Sequence, residues 1–153
     1  MALDAHNDAE VRQLQAKFKA LSDNAKKKAM PRMNLAVANI HSKIVQSIQG
    51  GSRSGREYKR GSITHQASAG GEPPKSDTGN LAGKIFFGKA TLEGNTFTGE
   101  IVARAKYAKM LEEGTRHIEP RPYMHPAFMD SKDDIKKQMI LGMRDAIKAS
   151  KSA

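Results

Sequence analysis

The chain has 153 residues, a formal net charge of +10, 38% hydrophobic residues, and no tryptophan or cysteine. This length predicts a single domain, residues 1–153, with a modest core of aliphatic side chains. The lack of cysteine excludes disulfides, thiolate metal sites and a cysteine nucleophile, and it fits a reducing compartment. A charge balance this basic makes a polyanion such as nucleic acid a natural neighbour.

The N-terminal sequence carries acidic residues where a secretory signal would carry a basic region followed by an apolar one. No run of 18 apolar residues is present, which is the minimum for a helix that crosses a bilayer. We therefore expect a protein that is not secreted and has no contact with a membrane.

Residues 1–49 predict two N-terminal helices. The first, from about Ala5 to Lys28, has apolar residues at alternating spacings of three and four: Val11, Leu14, Phe18, Leu21 and Ala25. The second begins near Pro31, repeats the spacing through Val37, Ile40, Ile44 and Ile48, and ends at Gly50 and Gly51. We expect both apolar faces to pack on one core. A single long helix bent at Pro31 is the alternative.

Residues 50–80 are rich in Gly, Ser, Pro and Arg and predict a long loop, with a weak strand over Tyr58–His65. Four basic residues cluster in it around Tyr58: Arg53, Arg56, Lys59 and Arg60. Such a cluster can follow DNA phosphates without reading bases, so these residues are candidates for a DNA channel. A merely solvated loop is the alternative.

Residues 81–128 predict a sheet, a short helix and an arm. The alternation over Ile85–Arg104 favours a β-hairpin that turns at Glu93–Asn95 and places Phe86, Ala90 and Leu92 on one face. A short helical turn over Gly79–Lys84, capped by Asp77 or Thr78, would lead into this hairpin.

The stretch from Lys106 to Phe128 combines a helical turn with a proline-rich arm. Tyr107, Met110 and Leu111 share one face of a short helix that ends at Gly114. Three prolines then predict an extended arm, whose Tyr123, Met124 and Phe128 require burial: Pro120, Pro122 and Pro126. Helical spacing returns from about Pro126 to Lys148, so residues 129–153 are expected to form a C-terminal helix and tail.

Two adjacent carboxylates, Glu112 and Glu113, lie about 100° apart on the short helix and cannot converge on one substrate atom. One reading is a solvated acidic edge. The other is that Glu113 pairs across a subunit boundary with Arg116 or Arg121, since a guanidinium accommodates a carboxylate with two hydrogen bonds.

The sequence gives little evidence for nucleotide binding, metal binding or nucleophilic catalysis. The GGSRSG segment from Gly50 follows a predicted helix and lacks the Lys-Ser/Thr pair of a phosphate-binding loop. The five histidines have no metal-ligand spacing. Ser62, His65 and Asp77 have no nucleophile motif around them. We expect no cofactor, no metal site and no enzymatic activity.

Three segments together resemble a known family. They are Gly55–Ile85, with Pro74, Asp77, Thr78, Gly79 and Leu81; Tyr107–Thr115, with Ala108, Glu112 and Gly114; and Arg121–Phe128, with Pro122, Tyr123, Pro126 and Ala127. Their order and spacing resemble the small neck proteins of tailed bacteriophages, known as head-tail joining, tail-completion or minor structural proteins. Tyr123 stands where phenylalanine is usual, and Glu113 where an aromatic residue often precedes the glycine.

We expect an α+β fold, with two N-terminal helices and a C-terminal helix packed on a small antiparallel sheet. The resemblance implies a structural virion protein that forms a ring, with six copies expected, between the capsid connector and the tail of a long-tailed phage. Genomic DNA would pass through the ring without sequence-specific contacts. The protein would assemble in the host cytoplasm and remain in the virion, at the neck or tail.

The same resemblance implies that the subunits contact each other and other neck and tail proteins through the arm and the short helix. The interface candidates are Tyr107, Glu113, Arg116, Arg121, Tyr123 and Phe128. Two alternatives stay open: a tail terminator that caps the tail tube, and a basic phage-encoded DNA-binding protein.

Overall fold

The computed structural model describes the backbone of residues 2–51 and 54–151, and the side chains of residues 11–51 and 54–150. Within these described residues, four helices and six short strands follow one another. They are α1 (Ala2–Gly50), β1 (Glu57–Arg60), β2 (Ile63–Gln66), β3 (Ile85–Phe87), β4 (Thr91–Glu93), β5 (Thr96–Thr98), β6 (Ile101–Ala103), α2 (Ala108–Glu113), α3 (Met124–Met129) and α4 (Lys132–Lys151). A 3-10 turn, Ala82–Lys84, precedes β3.

The prediction of two N-terminal helices is wrong, because α1 is continuous from Ala2 to Gly50 with Pro31 inside it. Proline in a helix interior removes one hydrogen bond and costs about 3 kcal/mol. The residues before it, Lys26 to Met30, are good helix formers with no glycine or capping residue among them. Tertiary contacts also lie on both sides of Pro31, where Ala29 and Arg32 both contact α4.

Helix α4 packs antiparallel along α1. Lys43 Nζ donates to Asp134 Oδ2 at 3.2 Å near the start of α4, and Arg32 Nη2 donates to Asp145 Oδ2 at 3.0 Å near its end. Gly142 allows the close approach, because a Cβ there would lie 2.9 Å from the Cα of Ala29. The two helices form one side of the domain.

The first part of α1 extends beyond this packing. Val11, Leu14 and Phe18, which we expected to pack on the core, are exposed to solvent. Helical periodicity places them on the face of α1 that contacts α4 at Ala29 and Arg32. Leu14 and Phe18 line a pocket that Ser150, near the end of α4, also borders. The apolar face therefore continues past most of the part of α1 that α4 covers, and Val11, Leu14 and Phe18 stay largely exposed.

The segment expected to be a long loop contains a second hairpin. Strands β1 and β2 pair antiparallel, with Tyr58 opposite His65 and Arg60 opposite Ile63. Gly61 opens the two-residue loop with a φ of 62°, as a turn with glycine in the first position requires. The weak strand predicted over Tyr58–His65 is thus two strands and the turn that joins them.

The hairpin predicted over Ile85–Arg104 is present, with a bulge in it. Strand β3 pairs with β6, and β4 pairs with β5. Three residues, 88–90, oppose two, 99–100, between these ladders. This mismatch overturns the predicted common face, because Ala90 is buried while Phe86 is 45% exposed. Arg104 covers one face of the Phe86 ring, 4.9 Å from its centroid.

The C-terminal third also differs from expectation. Helix α2 ends at Gly114 as predicted, with a φ of 76° that favours glycine. The arm is not extended throughout, because α3 already begins at Met124. A break at Asp130 and Ser131 separates α3 from α4, and the buried Ser131 hydroxyl donates to the Ala127 carbonyl at 2.7 Å.

The six described strands form three two-stranded sheets, and the core lies where α1 meets the β3–β6 sheet, α2 and α3. Its buried members are Ile40, Ile44, Ile48, Leu81, Ala82, Ile85, Ala105, Ala108, Tyr123 and Ala127. The fold is α+β, since helices pack with small antiparallel sheets. None of the helices in the described residues combines the length and apolar character that crossing a membrane requires.

Candidate assembly surface

Asp77 connects the β1–β2 hairpin to the loop that follows it. Its carboxylate accepts a hydrogen bond from Tyr58 Oη at 3.3 Å and lies 3.5 Å from Arg60 Nη2 and 3.6 Å from His65 Nδ1. Partial burial raises the pKa of Tyr58, and the charge of Asp77 raises it further. One carboxylate therefore contacts three side chains of the hairpin.

The hairpin presents its basic residues to solvent. Lys59 and Arg60 lie on β1, Arg56 immediately precedes it, and all three are exposed. Arg53, the fourth DNA-channel candidate, lies outside the described residues. The fold thus brings three of the four predicted cations to one hairpin, where Asp77 offsets part of the charge of Arg60.

The residues after Asp77 form a tight turn that reaches α2. Thr78 Oγ1 accepts the backbone N–H of Asn80, and Ser76 Oγ accepts that of Gly79. The side-chain amide of Asn80 then donates to Tyr107 Oη at 2.8 Å. The predicted cap of a helical turn is in part correct, since Thr78 binds a backbone N–H, but the 3-10 turn itself has no side-chain cap.

Glu112 caps α3 from a different element. Its Oε2 accepts the backbone N–H groups of Tyr123 and Met124 at 2.9 and 3.0 Å, and its Oε1 accepts that of His125 at 2.8 Å. The first N–H groups of a helix have no partner within it, and a carboxylate at this end is also favoured by the helix dipole. Glu112 is therefore not the solvated acidic edge that we considered.

Sequence reasoning missed this role of Glu112. Tyr123, which precedes α3, offers no side-chain cap of its own. A short helix without a Ser, Thr, Asp or Asn before it indicates that an acceptor must come from elsewhere. The spacing along the chain cannot identify that acceptor, since the two segments meet only in the fold.

Tyr123 lies in the core of its own chain. Its side chain is 1% exposed, and its hydroxyl donates to the Ala108 carbonyl at 3.4 Å. Burial raises its pKa to about 12, with further contributions from Glu112 and Tyr107. The packing that we expected Tyr123 to require is thus supplied within the chain, and its use at a subunit boundary stays a prediction.

Residues 12–114 match the family described as "Bacteriophage HK97-gp10, putative tail-component". The chain belongs to this family. It is a bacteriophage structural component associated with the tail, and it functions with other phage structural proteins as part of the virion. No curated protein and no solved structure gives a significant match to the chain.

The resemblance to a tailed-phage family is confirmed, and the match covers part of the surface described above. It includes the β1–β2 hairpin, Asp77 and Glu112 of this tail component, and it ends at Gly114. The arm with Arg121 and Phe128 lies beyond the matched residues.

The remaining interface candidates occupy different environments. Tyr107 is 37% exposed and Phe128 is 48% exposed, so both rings remain accessible. Glu113 is exposed and lies 3.8 Å from Lys109 of the same helix, and the described structure gives it no ion pair with Arg116 or Arg121. Arg116 is exposed, whereas Arg121 is half-buried.

Arg121 is bound through its backbone. Its N–H donates to the Leu111 carbonyl at 2.7 Å, and its Nε is the one buried side-chain nitrogen or oxygen that lacks a hydrogen bond among the described residues. Within the same described part of the chain, no group of His, Asp and Glu side chains is arranged to hold a metal ion.

Proposed function

We propose that this tail component is a structural, non-enzymatic protein that forms a ring at the phage neck. The ring would join the capsid connector to the tail or complete the tail, with genomic DNA passing through its lumen. Six copies would form the ring, and assembly would take place in the host cytoplasm. The other neck and tail proteins would be its neighbours along the particle axis.

The observation that carries this proposal is the exposed basic hairpin. Arg56 and Lys59 are exposed beside Arg60, while Asp77 joins the hairpin to the turn that reaches Tyr107. Exposed cations on a hairpin can contact a phosphate backbone without reading its sequence. Several copies of a chain with a charge of +10 would surround DNA with a strongly positive surface.

Exposed apolar side chains on several faces support the assembly part of the proposal. Tyr107, immediately before α2, and Met110 of α2 are exposed, as are Phe128 and Met129 at the end of α3. Large apolar patches on a soluble chain commonly mark contacts with other proteins. In a ring, these residues would lie against a neighbouring subunit or an adjacent ring.

Electron microscopy of particles assembled without this protein tests the proposal. We expect unjoined heads and tails. Complete particles with tails of irregular length would favour a tail terminator. Normal particles would contradict both structural roles. The remaining alternative would then be a DNA-binding protein that acts outside the virion. Wild-type protein supplied in trans should restore joining, and this control separates its loss from effects on neighbouring genes.

A further inference from the structure

The exposed stripe on α1 consists of Val11, Leu14 and Phe18. Phe18 is 64% exposed, an unusual state for a phenylalanine on a long helix. The stripe continues the face of α1 that packs on α4 further along the helix. The stripe thus continues a packing surface of α1 but stays exposed to solvent.

An apolar cleft of about 400 Å³ lies elsewhere on the same molecule, between α1, β6, α3 and α4. Its walls include Val37, Ile40, Ile101, Met124, Phe128 and Ile135. A dry apolar cavity of about 150 Å³ is enough to bind a benzene ring. The cleft therefore has room for the ring of Phe18 together with the side chain of Leu14.

The stripe of one molecule cannot reach its own cleft. Phe18 and Ile40 lie on one continuous helix, and at 1.5 Å per residue they are about 33 Å apart. A contact between the two features must therefore join two copies.

The charges of the two surfaces are complementary. Lys17 and Lys19 flank Phe18, and residues 11–20 carry no acidic residue. Glu100 lies between Gly99 and Ile101, which line the cleft. Glu112 also lines the cleft. This difference in sign favours the α1 segment of another copy as the occupant.

We propose that residues 11–20 of one copy dock on the cleft of a second copy, with Leu14 and Phe18 inserted between α1 and α3. The inference rests on the proposed ring, for which it supplies the contact between subunits. Because the stripe and the cleft are different surfaces, the contact is head-to-tail, and repetition of such a contact generates a ring when the rotation closes.

This contact is small for an independent dimer. A stable complex commonly buries about 800 Å² on each partner, which is more than three side chains provide. We therefore expect weak association between two copies. Association should be stronger when each copy binds one neighbour through its stripe and another through its cleft.

Cysteine cross-linking tests the proposal in a chain that has no cysteine of its own. Lys17→Cys lies beside Phe18, and His125→Cys lies at the cleft. We expect a short bismaleimide to join these variants when they are mixed, with one molecule of each in the product. Neither variant should cross-link when it is alone. Arg12→Cys, on the opposite face of α1, is the control and should not react with His125→Cys.

A second measurement is sedimentation of the wild type and of two single variants, without introduced cysteines, up to millimolar concentration. Phe18→Asp should weaken self-association at least about tenfold, while Ile147→Asp, at an exposed apolar site on α4, should not. The proposal is overturned if wild type stays monomeric throughout, if Lys17→Cys links mainly to itself, or if Arg12→Cys links to the cleft equally well. Incorporation into particles is scored separately, so loss of the neck role and loss of this contact are distinguishable.

Discussion

The Glu112 carboxylate accepts the backbone N–H of Tyr123 at 2.9 Å, and so the end of α2 caps the start of α3. Leu111 strengthens the same connection by accepting the N–H of Arg121 at 2.7 Å. The arm is therefore attached to α2 at two successive residues. These hydrogen bonds hold the arm in place against α2.

Replacement of Glu112 should destabilise the domain. Glu112→Ala leaves three N–H groups without their charged acceptor, and a hydrogen bond to a charged group contributes about 1.5–3 kcal/mol. We expect the free energy of unfolding in urea to fall by about 2 kcal/mol, and Glu112→Gln to cost less. Glu113→Ala is the matched control, because this neighbour is exposed, and it should change stability by less than about 0.5 kcal/mol. Equal losses for Glu112→Ala and Glu113→Ala would contradict the capping role.

Tyr123 should make the protein sensitive to alkaline pH. Its pKa is about 12 in the folded chain and near 10 when unfolded, so folding favours the protonated hydroxyl. This contribution to stability is complete below pH 10 and is lost as pH rises from 10 to 12, with a slope of at most about 1.4 kcal/mol per pH unit. Urea unfolding across this range should show the loss. Tyr123→Phe should reduce the slope, and Tyr58→Phe should reduce it less; an unchanged slope in Tyr123→Phe would refute the assignment.

Asp77→Asn should loosen the β1–β2 hairpin without unfolding the domain. The substitution removes the charge that faces Arg60 and His65, and an exposed ion pair contributes less than about 1 kcal/mol. Hydrogen exchange of residues 57–66 should become faster, while exchange in the core of α1 should stay the same. Glu57→Gln, which removes an exposed charge from β1 of the hairpin, should have little effect. Faster exchange throughout the domain would show instead that Asp77 supports the whole fold.

Gly142→Ala should destabilise the packing of α1 and α4. Alanine gains about 1 kcal/mol over glycine in a helix, but the new Cβ would lie 2.9 Å from the Ala29 backbone, and overpacking costs about 1–3 kcal/mol. Since a backbone atom cannot rotate away, we expect a net loss in the free energy of unfolding. Gly83→Ala has open space around the new Cβ and serves as the control. A more stable Gly142→Ala variant would mean that the helices separate at little cost.

Removal of hairpin cations should weaken DNA binding in a salt-dependent way. If Arg56 and Lys59 each contact one phosphate, Arg56→Gln with Lys59→Gln should reduce the slope of log affinity against log salt by about 1.8. Lys136→Gln with Lys137→Gln removes the same charge from α4 and is the matched control. Fluorescence anisotropy with duplex DNA gives both slopes. An equal reduction in both double variants would assign the effect to net charge and not to the hairpin.

The sequence pattern was sufficient to predict those features that depend on residues close together in the chain. Gly114 ends α2 because a residue with positive φ is needed there, and glycine adopts it without strain. The hairpin around Gly94 could be predicted for the same reason, since alternation and the turn residues lie within a few positions of each other. The order of the three motifs, Gly55–Ile85, Tyr107–Thr115 and Arg121–Phe128, likewise sufficed to identify a tailed-phage family.

Tertiary structure decided the features that depend on residues far apart in the chain. Pro31 lies inside one helix, whose flanking residues Ala29 and Arg32 contact α4 more than 100 positions later. The bulge between residues 88–90 and 99–100 changed which side chains face the core, although the alternation itself was read correctly.

The sequence by itself thus determined the class of fold, the end of α2, the central hairpin and the basic character of the residues around Tyr58. Only the tertiary structure decided that Glu112 caps α3, that Tyr123 is buried and that Phe18 is exposed. The physical reason is that turns and caps of this kind depend on backbone conformation over a few residues. Burial and hydrogen bonding of a particular side chain depend instead on which distant segment packs against it.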